Sequence, residues 1–297
     1  MKKLLFLLLL SLSVYSVSAQ QFKLAVQVKN EWEETNDGYV LEFTASNDDY
    51  CDYYFYMELG NVVAFRGARS PYFTSVRPGS GSIMKLTPIS QNALTSANYR
   101  FWVFRGNINS ELNADFRYAL PIKIGDSVRA FEKENSNYTL IFDLGNTTTD
   151  TIYASRRGVV CNDILSDYSA KGHDGFKGQA QQITVYHKDG SFGEYKGFTT
   201  PLVSPGSNVE MGTPIALVRK EGENPKIVEF AVYFLDKNKV ENKEIGDKHS
   251  HLRPFFHTPQ GDIRLENNIS YVSERTDEMM IQDMSKREAK KYQKSKK

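Results

Sequence analysis

The side chains best suited to chemistry in this chain are few: two cysteines and five histidines among 297 residues. Three of the histidines crowd into His249-Ser250-His251-Leu252-Arg253-Pro254-Phe255-Phe256-His257. On a strand, His249 and His251 share a face, so both rings can reach one metal ion. The segment has no cysteine and no evident third ligand, and the Arg253 cation opposes a metal, so a solvated strand edge is the favoured reading. Cys51 and Cys161 leave two readings open. In an oxidising compartment they form one disulfide between the N-terminal and later parts of the chain; otherwise each behaves as a small buried hydrophobe. Neither has a histidine beside it in sequence, which argues against cysteine-peptidase chemistry.

The elements around these residues read as β-structure. Met1-Lys2-Lys3, the apolar run Leu4 to Leu12 and Val17-Ser18-Ala19 have the form of a secretory signal peptide, residues 1–19, cleaved after Ala19. The expectation is an exported protein, periplasmic or secreted. No cysteine follows the cleavage site to carry a lipid, and no later run approaches the roughly twenty apolar residues of a membrane span. Without Lys2 and Lys3 the charge is 35 basic against 36 acidic, a balance that excludes a whole-surface field for nucleic acid.

Residues 20–125 carry period-two segments at Phe22 to Val28, Tyr39 to Thr44, Tyr53 to Leu59, Ile83 to Leu86 and Tyr99 to Phe104. Turn signals separate them at Asn36-Asp37-Gly38, Asn47-Asp48-Asp49 and Pro78-Gly79-Ser80-Gly81, which predicts a β-sandwich of immunoglobulin-like type. Its aromatic residues (Tyr53 and Phe55 on one face, Tyr54 and Tyr56 on the other) are assigned to the core ahead of a sugar-stacking or peptide-binding platform. The boundary to a second β domain, residues 126–273, falls near Asp126. Residues 274–297 form a polar tail or short helix, with seven basic residues and one acidic from Lys286 onward. The fold class is therefore all-β.

Within the second domain, Thr151-Ile152-Tyr153-Ala154 and Gly158-Val159-Val160 read as a tight hairpin. Gln182 to Asp189-Gly190 and Phe192 to Tyr195 read as a second hairpin on an Asp-Gly turn. Gly206 and Gly212 then punctuate two short β segments. This three-part order resembles the lysostaphin-type zinc endopeptidases, metallopeptidase family 23, which hydrolyse peptidoglycan and share a "V-Y-A…G-V-V", "H-x-D-G…Y", "V-x-x-G-x-x-V-x-x-G" succession. The resemblance covers roughly residues 138 to 235.

The resemblance implies a zinc site built from the His and Asp of "H-x-x-x-D" and the second His of "H-x-H", with a further His beside the metal-bound water. This chain departs from that set. A gapless match puts Thr139 at the His position and Asp143 at the Asp position; a small insertion puts Ile141 there instead. Gly197 stands where the family has its histidine two residues after Tyr195, and Ile227 and Glu229 stand at "H-x-H". His187 is the family histidine that remains, and it belongs to the hairpin turn, where bonding to local backbone is the favoured role. Asp143 and Glu229 offer two carboxylates, a poor set for zinc and a better one for a weak hard-cation site. The expectation is a degenerate member with no cofactor and no catalytic residues. It would bind cell-wall peptide or peptidoglycan, or regulate an envelope hydrolase. The alternatives are an active metalloendopeptidase with an altered metal site, and a secreted adhesion module that binds through its first domain.

Overall fold

The computed structural model describes residues 25–90, 93–162, 181–218, 226–241 and 247–296. The expected signal peptide and His173 lie outside them. The N-terminal half consists of β1 (Val26–Thr35), β2 (Gly38–Asn47), β3 (Tyr53–Val63), β4 (Phe65–Arg66), β5 (Tyr72–Val76), β6 (Gly79–Pro88) and β7 (Ser96–Arg105). They form two sheets, ordered β1-β2-β6-β4 and β5-β3-β7. Leu41, Phe43 and Ala45 alternate inward from β2, and Tyr53, Phe55, Met57 and Leu59 do so from β3. The predicted sandwich thus follows from period-two placement of its large apolar side chains. Tyr54, on the opposite face, is buried too, in a small cluster with Ile108 and Leu235.

The C-terminal half contains β8 (Arg117–Tyr118), β9 (Ser127–Glu132), β10 (Leu140–Asp143), β11 (Thr151–Tyr153), β12 (Gly158–Val160), β13 (Gln181–Tyr186), β14 (Ser191–Phe198), β15 (Thr200–Pro201), β16 (Asn208–Val209), β17 (Pro214–Leu217), β18 (Ile227–Leu235), β19 (His249–Leu252), β20 (Phe255–Thr258), β21 (Gly261–Ile263) and β22 (Ile269–Val272). Three short helices accompany them: α1 (Lys237–Glu241), α2 (Asp277–Ile281) and α3 (Lys286–Ser295). A nine-stranded sheet runs β16-β12-β13-β14-β18-β10-β9-β22, with β19 beside the end of β18 that β10 leaves free. Two three-stranded sheets, β11-β17-β15 and β21-β20-β8, help bury one face of it. Phe142, Val228 and Phe230 from the large sheet meet Ile152, Ile215 and Phe256 in that core. The same core takes in Phe116, Tyr118, Leu120 and Ile122, on the N-terminal side of Asp126.

The hairpin predicted on Asp189-Gly190 is present as β13–β14, with Gly190 at φ +82° closing the turn. The hairpin predicted for residues 151–160 is not. β11 pairs with β17, whereas β12 pairs with β13 and β16 in the large sheet. The reason is the link between them: Arg156 is buried, and its guanidinium binds Asp189 and Asp283, so the chain dives through the interior from one layer to the other. At the tail, Thr276 caps α2, and Ser285 with Glu288 forms a capping box on α3. Met279 of α2 enters the core, so the tail is docked at that point rather than wholly solvated.

Candidate functional site

Pairing registers place Ile141, Asp143, Ile227 and Glu229 on one face of the large sheet, opposite the core. Asp143 lies across from Ile227 and Arg129, and Ile141 across from Glu229 and Phe131; Glu229 in turn faces Lys196. Directly paired residues of antiparallel strands share a face. Asp143, Ile227 and Glu229 are therefore neighbours on that face. Each carboxylate already has a cation. Arg129 Nη2 donates to Asp143 Oδ2 at 2.9 Å, and the Gly145 N–H donates to Oδ1 at 2.9 Å. Lys133 Nζ reaches Glu229 Oε1 at 2.7 Å. Arg129 first, then the Gly145 amide, holds the Asp143 carboxyl below its ordinary range.

The other family positions do not add a ligand. Thr139 sits in the β9–β10 turn, its N–H donating to Ser136 Oγ and its carbonyl accepting from Lys133. Gly197 has φ +90°, and a Cβ there would stand 2.5 Å from the Ile227 carbonyl oxygen. A histidine at that position clashes with the backbone of the next strand. Tyr195 points to the opposite face, fully buried, its hydroxyl accepting the Ser155 N–H at 2.8 Å; burial pushes it up to about 12. The residues present do not fit the family's zinc at this place.

His187 is buried, and its ring bonds backbone distant in sequence rather than local backbone. Its Nδ1 lies 2.8 Å from the Arg157 carbonyl, a partner on the neighbouring β-segment, and its Nε2 has no hydrogen-bond partner. Burial, with the Arg156 cation adding to it, pushes the imidazole down to about 3, so it stays neutral and unsuited to proton transfer near neutrality. His249 and His251 share a strand face and both pack on Tyr233 at ring-centroid distances of 5.2 and 5.9 Å. His249 spends its nitrogens on Asp247 and the Arg105 carbonyl, each at 2.8 Å. That strand edge is used for docking the sandwich.

The expectation that the chain lacks a metal-binding set is corrected at another place. Asp49, Cys51 and Cys161, all buried, offer a carboxylate oxygen and two sulfurs within 4.8 Å of one another. Two thiolates and a carboxylate suit a soft divalent ion. No other group of three or more such donors occurs among the described residues. The pairing of Cys51 with Cys161 was one of two open readings of the sequence, but spacing gave no sign that Asp49 joins them, because the β2–β3 loop and the end of β12 meet only through the docking of two halves. The Arg105 guanidinium already lies against this cluster, 3.0 Å from Asp49 Oδ2 and 3.4 Å from Cys51 Sγ.

A second buried charge centre also escaped the sequence reading. Arg156 donates to Asp283 at 2.7 and 2.9 Å and to Asp189 at 3.0 Å, and its guanidinium stacks 3.7 Å from the Phe116 ring centre. Asp189 carried a turn signal only, and Asp283 carried none. Beside it opens a cleft of about 630 Å³ lined by Tyr50, Arg157, His187, Glu210 and Glu288 among others.

No family model matches the chain, and no curated protein matches it. Weak structural neighbours exist. One is the M23 metalloprotease pseudoalterin from the deep sea, at 14% identity and TM-score 0.32, over 54% of this chain and 96% of that one. Another is Csd3 of Helicobacter pylori in an orthorhombic crystal, at 13% identity and TM-score 0.29, over 91% of this chain and 76% of that one. A hexagonal crystal of Csd3 gives 14% identity and TM-score 0.28, over 76% and 69%. Likenesses this loose carry no activity over to this chain.

Proposed function

We propose that the chain is an exported, peptidase-like protein that holds cell-wall peptide on the open part of its large sheet without cutting it. The observation that supports this most is the pairing of Asp143 with Arg129 and of Glu229 with Lys133, where the resembled family would bind zinc. A metal ion entering there displaces two cations and finds no imidazole. What remains is a strip in which charges of both signs alternate with Phe131, Ile141 and Ile227. Cell-wall peptides carry free carboxylates and amines on an extended backbone, and such a strip complements both.

The test is co-sedimentation of the mature protein with isolated sacculi, alongside a muropeptide-release assay with zinc supplied. Binding without released fragments is expected. The double neutralisation Arg129→Gln/Lys133→Gln should weaken binding about tenfold or more while costing only about 1–2 kcal/mol of stability, since the cation of each pair is exposed and its carboxylate only half-buried. Fragment release, or no association with sacculi, overturns the reading.

A further inference from the structure

The second chemistry open to the Asp49 cluster is oxidation. Asn162, next to Cys161, is fastened to the sandwich three times. Its N–H donates to Asp49 Oδ1 at 2.8 Å, its carbonyl accepts from Arg105 Nη2 at 2.8 Å, and its amide donates to the Asp48 carbonyl at 2.7 Å. On the sandwich side, the Asn47 amide donates to the Cys51 and Val76 carbonyls at 2.9 and 3.2 Å, which fixes the β2–β3 loop. The two sulfurs are thus brought within 4.8 Å by backbone anchors that do not involve them. We infer that Cys51 and Cys161 join as a disulfide when a disulfide oxidant reaches the chain, making the contact between sandwich and large sheet covalent.

The step balances as a thiol–disulfide exchange. The two S–H bonds of Cys51 and Cys161 and the S–S bond of the oxidant, a small-molecule or protein disulfide, break. One protein S–S bond forms, and the oxidant leaves as two thiols carrying the two protons and two electrons. Both cysteines are buried, so exchange takes place as the two halves close, while the sulfurs are still reachable. The product is tolerated: Asp49 Oδ2 loses the Cys51 S–H but keeps the Tyr53 hydroxyl at 3.1 Å and Arg105 at 3.0 Å. The closed loop spans roughly 110 residues, long enough for the cross-link to restrict the unfolded chain strongly.

The experiment is thiol counting by intact mass on the full mature chain. The protein is folded in a glutathione buffer of oxidising ratio, denatured, and treated with a maleimide before and after reduction, with metal content measured on the same sample. No label before reduction, two after it, and one peptide containing both Cys51 and Cys161 is the expected result. Reduction should lower the thermal midpoint by about 5 °C or more. The double variant Cys51→Ser/Cys161→Ser should match the reduced protein and no longer respond to reductant. Two labels without reduction after oxidising refolding, or one metal ion per chain lost together with thiol protection, overturns the inference. These readouts do not depend on what the sheet binds.

Discussion

At the residue scale, His187 gives the chain a defined acid sensitivity. Its folded pKa of about 3 lies below the ordinary value near 6.5, so the unfolded chain binds the extra proton first. The stability it contributes is complete above pH 6.5 and is lost progressively as pH falls toward 3. At pH 5 the loss attributable to this ring is about 2 kcal/mol. Asp143 and Asp247 have lowered pKa values, so their contributions fade only at lower pH, on the same acid side. Urea unfolding of wild type and His187→Gln at pH 7 and pH 5 checks this: the variant should be less stable at pH 7 but should lose about 2 kcal/mol less between the two. An unchanged pH dependence would mean that the ring is protonated in the folded state.

At the element scale, the Arg156 link decides how β11 and β12 part company and how the segment after α2 is held. Arg156→Met leaves Asp189 and Asp283 close together without their shared cation, each almost buried. Removing one partner of such a buried arrangement costs about 3–5 kcal/mol. Thermal unfolding should show the loss, and limited proteolysis should cut first around Gln282 to Ser285. Loss of stability without faster cleavage there would contradict the tethering role. The same link shows where sequence reading stops. Alternation made β2, β3 and β18 legible, and Asp189-Gly190 made the β13–β14 hairpin legible, because those signals act within a few residues. Arg156 looked like any polar residue between two apolar stretches. Its partners are 33 and 127 positions away, and a charge pair at that separation leaves no local pattern. The carboxylates at Asp143 and Glu229 were found from the family order; the cations that neutralise them, on β9 and just beyond it, follow only from the observed register.

At the scale of the whole molecule, the face that carries Asp143 and Glu229 continues along the sheet into a row of aromatic rings. Tyr186, Phe192 and Tyr233 lie side by side, with centroids 4.9 and 5.1 Å apart, and Arg105 of the sandwich covers Phe192 at 5.5 Å. The sandwich core and this row belong to one cluster. A chain beginning at Phe116 keeps the second core but uncovers the row, so it should bind a hydrophobic dye and self-associate where the chain with its sandwich does neither. A monomeric, dye-silent fragment would show that the rings need no cover. Gly197 adds a constraint on which substitutions the sheet can accept. With a carbonyl oxygen standing where a side chain would begin, no single codon change there can add a side chain to the sheet, because the two adjoining strands would first have to move apart. Sequence change at this position is therefore confined, and glycine remains fixed.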